Sequence, residues 1–216
     1  MTTATARLNR MDEYAITSSG QLAEIYEPPI GQAVVKQIDR LDEHCRALIG
    51  SSPFVTLASS SADGRCDVTP RGGAPGFCRV LEDGRLAIPD VKGNRRLDSL
   101  RNIVENPHAG LLFMVPGMRE TLRVNGSAHL TQLPEVIELV SEPGKLAILA
   151  IVVSPDEVFL HCAKALIRSS LWNPSTWPDA GALPSAAQVF RDHIGGEETV
   201  AEVEARLEEG NRTRLY

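Results

Sequence analysis

Between residues 32 and 49, Val34, Val35, Ile38, Leu41, Cys45, Leu48 and Ile49 fall on one side of a helical wheel. Lys36, Asp39, Arg40, Asp42 and Glu43 fall on the other. This spacing predicts one amphipathic helix over 32–49, ended by Ser51-Ser52-Pro53. A strand is predicted over 54–59, a hairpin turn at Ala62-Asp63-Gly64 and a returning strand over 65–69. A second turn, Glu82-Asp83-Gly84, joins strands at 77–81 and 86–89, and the glycines between 72 and 76 predict a flexible loop. Leu97, Leu100, Ile103 and Val104 then recur at helical spacing, with Asn94 as N-cap and Asn106-Pro107 as the stop. Two longer strands, 110–115 and 120–131, meet at Pro116-Gly117; the second sets Leu122 and Val124 inward and Arg123 and Asn125 outward. A short helix over 133–140, a strand pair at 147–153 and 157–162 around Ser154-Pro155-Asp156, and an acidic helical tail from 185 complete the pattern.

Roughly six to eight strands in hairpin succession, with helices inserted, predict an antiparallel barrel, mainly β with added helices (an α+β chain), rather than alternating parallel units. At 216 residues and 43% hydrophobic content the chain can bury one substantial core. The expected organisation is a single domain over 1–216, with helical extensions at about 1–50 and about 165–216. A formal net charge of -6 argues against a broad grip on nucleic acid or an anionic membrane, and leaves room for a small basic pocket. The N-terminus lacks the apolar core of a signal peptide and no run reaches membrane-span length, so a cytoplasmic location is expected. Cys45, Cys66, Cys78 and Cys162 form no CxxC pair, and His44, His108, His129 and His193 lack spaced metal partners, so no metal site is predicted.

One feature runs against helix electrostatics. Arg95 and Arg96 stand at the predicted helix start, where a partial positive charge normally draws Asp or Glu. Unpaired first-turn N–H groups, a glycine at 93 and arginines able to grip an oxyanion in two places make Lys92, Gly93, Asn94, Arg95 and neighbouring Arg96 a candidate phosphate cradle. The competing reading has the arginines facing water or pairing with Asp90 and Asp98. Asp67-Val68-Thr69-Pro70-Arg71-Gly72-Gly73 adds an arginine at the end of an extended segment, before glycines that admit close approach. Lys164 and Arg168, four residues apart, can face one anion, and Trp172 can stack on a flat ligand; equally, these are surface charges and a packed aromatic.

The succession FVTLASS, DVTPRGG, LAIPD, GNRRLDSLRNIVENPHAGLLF and ETLRVNGSAHL resembles the pyridoxamine 5'-phosphate oxidase-like family, the FMN-binding split barrels, over about residues 50–162. HCAKALIRSSLW resembles the late strand and turn of an uncharacterised branch of that superfamily. The resemblance implies a six-stranded antiparallel split β-barrel, a homodimer with FMN at the subunit interface, and an FMN-dependent oxidoreductase acting on a small molecule. It implies that Arg71 contacts the flavin or its phosphate, that Ile88, Pro89 and Asp90 lie along the ring, and that Asn94 and Arg95, with Lys92 nearby, hold the phosphate. With FMN as the ligand, Lys164 and Arg168 would face its anion and Trp172 would stack on the flavin edge from the second subunit; the alternative has Lys164 and Arg168 as surface charges and Trp172 filling a dimer contact. The family's arginine-rich C-terminal motif has no counterpart in 169–216, so the vitamin substrate is not implied. The alternatives are a non-catalytic FMN carrier or redox sensor, or a split barrel using deazaflavin or haem.

Overall fold

The computed structural model describes residues 11–93, 95–142 and 145–213. The chain divides into two compact units, 1–37 and 38–216. In the first, helix α1 (Ser19–Ile25) opens on a capping box, Ser18 and Gln21 each satisfying the other's backbone N–H. A second helix, α2 (Gln32–Val35), is one turn long.

The single helix predicted over 32–49 does not form. Ile38 exchanges backbone hydrogen bonds with Val158, at 2.9 and 2.8 Å, which demands extended backbone in the middle of the predicted helix. Helix α3 (Glu43–Ser51) starts afresh at Asp42, whose carboxylate accepts from Cys45 N at 2.8 Å. One apolar stripe therefore serves two elements, and Leu41, Cys45 and Ile49 deliver it to the barrel core.

Seven strands form one antiparallel sheet: β1 (Phe54–Ser60), β2 (Cys66–Gly72), β3 (Arg79–Val80), β4 (Leu86–Asp90), β5 (His108–Met114), β6 (Thr121–Thr131) and β7 (Leu149–His161). Their order is β2-β1-β5-β6-β7-β4-β3. The count exceeds the expected six through β3, which contributes two residues at an edge. β2 ends one side of the sheet and β4 lies next to the other end, yet Arg71 of β2 bonds Asp90 of β4. The sheet therefore curls until its ends meet, a split barrel with added helices. Its interior is the alternating apolar face: Val55, Leu57, Leu86, Ile88, Val124, Val153 and Val158 retain no exposed surface.

Helix α4 (Asp98–Glu105) lies on this sheet, Asn102 Nδ2 donating to Ser59 Oγ at 3.1 Å and Asn106, just beyond, to Ser60 Oγ at 2.9 Å. Helix α5 (Pro134–Val140) covers a second apolar cluster on the other face, built from Ala87, Val140, Ala147, Ala150 and Val152. After α6 (Lys164–Ser169), helices α7 (Ala186–Ile194) and α8 (Val200–Thr213) give the predicted helical tail.

Two further boundaries differ from expectation. The turn predicted at 154–156 is a bulge inside one 13-residue strand, and β6 pairs with β7 on both sides of it. Gly126 faces this bulge so closely that a Cβ there would lie 1.9 Å from Ser154 O. β2 continues past Thr69 through Pro70 and Arg71 to Gly72, because an edge strand tolerates a proline without a donor.

Candidate functional site

The seam between β2 and β4 opens into a cleft of about 430 Å³ bounded by β2, the end of β4, the 91–97 segment and the first turn of α4. An adjoining lobe of about 300 Å³ shares Pro70, Arg71, Val91, Lys92 and Gly93, and adds Phe77, Pro89 and Val140 as an apolar wall. On β2 the period of two sets Asp67, Thr69 and Arg71 on the half-buried face.

Arg71 Nη1 donates to Asp90 Oδ1 at 2.5 Å and Nη2 to Ser99 Oγ at 3.2 Å. Both charged side chains are largely covered, 20% and 15% exposed. Arg71 Nε is buried and has no partner among the described residues. The pair thus joins the edge strand β2 to β4, the strand next to the opposite edge, and α4 contributes its first-turn serine to the same guanidinium.

The helix start differs from expectation. α4 begins at Asp98, and Arg95 takes a left-handed backbone, φ 60°, that cannot continue a helix. Arg95 and Arg96 therefore precede the helix, and Asp98 supplies the acidic residue its first turn favours. Arg96 Nε donates to Asp98 Oδ2 at 2.7 Å, the pairing allowed for in the sequence, and this raises the proton affinity of the guanidinium further. Lys92 and Arg95 line the cleft, exposed, with no ion pair or hydrogen bond among the described residues. Four basic side chains thus face three acidic ones, Asp67, Asp90 and Asp98, in a chain whose net charge is -6.

Of the residues singled out in the sequence, the structure brings Arg71, Asp90, Lys92, Gly93 and Arg95 around one cleft and Pro89 into its adjoining lobe. Ile88 is turned into the barrel core with no exposed surface. Asn94 lies outside the described residues. Lys164 and Arg168 are exposed on α6, which follows the His161 end of β7, whereas the cleft lies beside its Leu149 end. Trp172 is half-buried and donates Nε1–H to Met118 O at 2.7 Å. Neither lobe is lined by these three residues. Ser99, Thr69 and Asp67 line the cleft and do not stand out in the sequence. Extending β2 through Arg71 would have exposed the 67, 69, 71 alternation.

Among the described residues no cluster of His, Cys, Asp and Glu could hold a metal ion, and no helix is long and apolar enough to cross a membrane. All four cysteines are unpaired; burial pushes the Cys45 thiol up to about 11. Beside the cleft, Leu97, Leu100, Val104, Leu130 and Leu149 line an apolar groove of about 310 Å³, and Leu97 borders both.

The family model for pyridoxamine 5'-phosphate oxidase matches residues 41–162, more than half of the chain and every strand of the barrel. No curated protein matches the sequence. Solved structures similar to this chain include HupZ of Group A Streptococcus, 14% identical over 55% of this chain and 92% of that one, with a TM-score of 0.45. Others are HutZ, the heme storage protein from Vibrio cholerae (15%, 56% and 94%, TM-score 0.41), and a pyridoxamine 5'-phosphate oxidase-related, FMN binding protein from Nostoc punctiforme PCC 73102 (16%, 52% and 75%, TM-score 0.36).

Proposed function

Because the chain belongs to the pyridoxamine 5'-phosphate oxidase family, we propose that its cleft binds FMN and that the protein is an FMN-dependent oxidoreductase of a small molecule. The observation that carries this reading is a pair of cations, Lys92 and Arg95, without acidic partners among the described residues, at a cleft in a chain of net charge -6. A phosphate monoester is the anion they suit, since each can give a charge-assisted hydrogen bond. Gly93 between them in sequence leaves the approach open: a Cβ there would meet only Val91 O, at 3.9 Å. Phe77, Pro89, Val91 and Val140 give the adjoining lobe the apolar wall that a flat aromatic ring requires.

When bound, FMN supplies hydride-transfer chemistry, and the chain's own residues bind, orient and exclude water. Lys92 and Arg95 hold the phosphate, and the apolar lobe limits solvent. No histidine lines either lobe among the described residues, which favours FMN over haem. A homodimer is part of the proposal: the apolar groove beside the cleft would be covered by the second subunit, from which Lys164, Arg168 and Trp172 would reach the cofactor.

The test is the absorption spectrum of the purified protein, with mass identification of whatever heat releases. A two-band flavin spectrum with FMN in the supernatant supports the proposal. A colourless protein that also fails to bind added FMN overturns it. Light scattering that gives a stable monomer removes the interfacial part.

A further inference from the structure

The cations at the cleft are not equivalent. Arg71 is largely covered and already bonded to Asp90 and Ser99, and its Nε is sealed from solvent. Where water is largely excluded, a carboxylate at hydrogen-bonding distance cancels most of a guanidinium's field. Lys92 and Arg95, by contrast, are exposed and unpaired among the described residues. Asp90 also stands where β4 ends and the 91–97 segment begins, so it fixes Arg71 and the start of the cationic segment together.

We infer that Asp90 is a positioning residue of the cleft. It holds Arg71 in the barrel seam and cancels its charge, so that the phosphate is met by Lys92 and Arg95 and not by Arg71. The inference rests on the phosphate-binding reading above and departs from the role that the family resemblance gives Arg71. Two rival accounts make different demands. If Arg71 is itself a phosphate ligand, its removal is not made good by removing Asp90 as well. If the pair only braces the barrel, its loss affects every ligand alike.

The test is a charge series in the full chain: wild type, Asp90→Asn, Arg71→Gln and the double variant, in which an amide pair keeps a hydrogen bond without charge. Each apo protein is titrated with FMN and with riboflavin, which lacks the phosphate, by quenching of flavin fluorescence. Asp90→Asn should bind FMN on the order of tenfold more tightly than wild type and Arg71→Gln on the order of tenfold more weakly, with the double variant between them and riboflavin affinity flat. A double variant as weak as Arg71→Gln would make Arg71 a direct phosphate ligand and overturn the inference. So would equal changes for FMN and riboflavin, or no gain in Asp90→Asn. Should Asp90→Asn fail to fold, the comparison of the double variant with Arg71→Gln decides between the same alternatives. If wild type binds no FMN, the flavin reading fails separately, and the rise in Tm with inorganic phosphate carries the test. A larger rise in Asp90→Asn than in wild type upholds Asp90's role, and equal rises overturn it.

Discussion

The two ends of β7 treat charge in opposite ways. At its Leu149 end the strand pairs with Asp90 and borders a cleft where Lys92 and Arg95 have no partner among the described residues. Toward its His161 end, Arg123 of β6 lies 2.8 Å from Glu157, which also accepts from Asn125 Nδ2 at 2.9 Å. The Arg123 guanidinium sits 5.1 Å above the Phe159 ring, itself 4.8 Å from the His161 ring. A charge whose partners come from the neighbouring strand holds the sheet together, whereas one without partners is available to a ligand. The same residue type, arginine, thus carries different roles at the two ends of one strand.

The bulge at Gly126 joins these ends, and breaking it should have the largest effect. A Cβ at position 126 would lie 1.9 Å from Ser154 O and 2.8 Å from Ser154 C, both backbone atoms that cannot swing aside. Gly126→Ala should abolish cooperative folding or cost at least about 4 kcal/mol, read by urea denaturation. An unchanged midpoint would mean that β6 and β7 can slide past one another, and the division of the strand into two ends would lose its basis.

With the fold intact, the ends should separate by readout. Lys92→Glu combined with Arg95→Glu should weaken FMN binding by about 100-fold while stability stays within about 0.5 kcal/mol, since neither cation has a partner to lose among the described residues. Arg123→Ala should do the reverse, leaving FMN affinity unchanged and lowering stability by about 1 kcal/mol through the lost ion pair and ring contact. Isothermal titration and chemical denaturation on the same samples give both numbers. Equal loss of FMN binding at both ends would sink the comparison.

The barrel was legible because period-two alternation needs only local sequence: Leu122 and Val124 are buried between half-buried Arg123 and Asn125, as their pattern predicts. Long-range pairing is what local pattern misses. Ser154-Pro155-Asp156 has the composition of a turn, but β6 continues alongside and turns it into a bulge. The stripe over 32–49 has helical period, but Ile38 is claimed by Val158, far away in sequence. At the site, the arginines were legible as residue types, and their commitments were not. The pairing of Arg96 with Asp98, two residues away, was among the readings the sequence allowed, but nothing local shows that Arg71 reaches across the seam to Asp90 or that Arg95 adopts a left-handed backbone. The reach of Arg71 depends on how far the sheet curls.

A last effect, no larger than that of Arg123→Ala, tests how firmly the His161 half is braced. Ile38 bonds Val158 in that half of β7, and the chain then enters α3 at Asp42, whose carboxylate accepts from Cys45 N. That hydrogen bond favours the charged form and holds the Asp42 carboxyl below its ordinary 3.8. A carboxylate with a depressed folded-state pKa stabilises the fold above its unfolded value and loses that contribution as pH falls through the folded one. Asp42→Ala should therefore cost about 1 kcal/mol at neutral pH, the usual worth of an N-cap, and the gap from wild type should narrow below about pH 3.8. Urea denaturation at neutral pH and near pH 3 measures both, and FMN affinity should stay fixed. A gap that does not change with pH would assign the cap's contribution to a neutral hydrogen bond. A fall in FMN affinity would show that the brace and the cleft, at opposite ends of β7, are coupled after all.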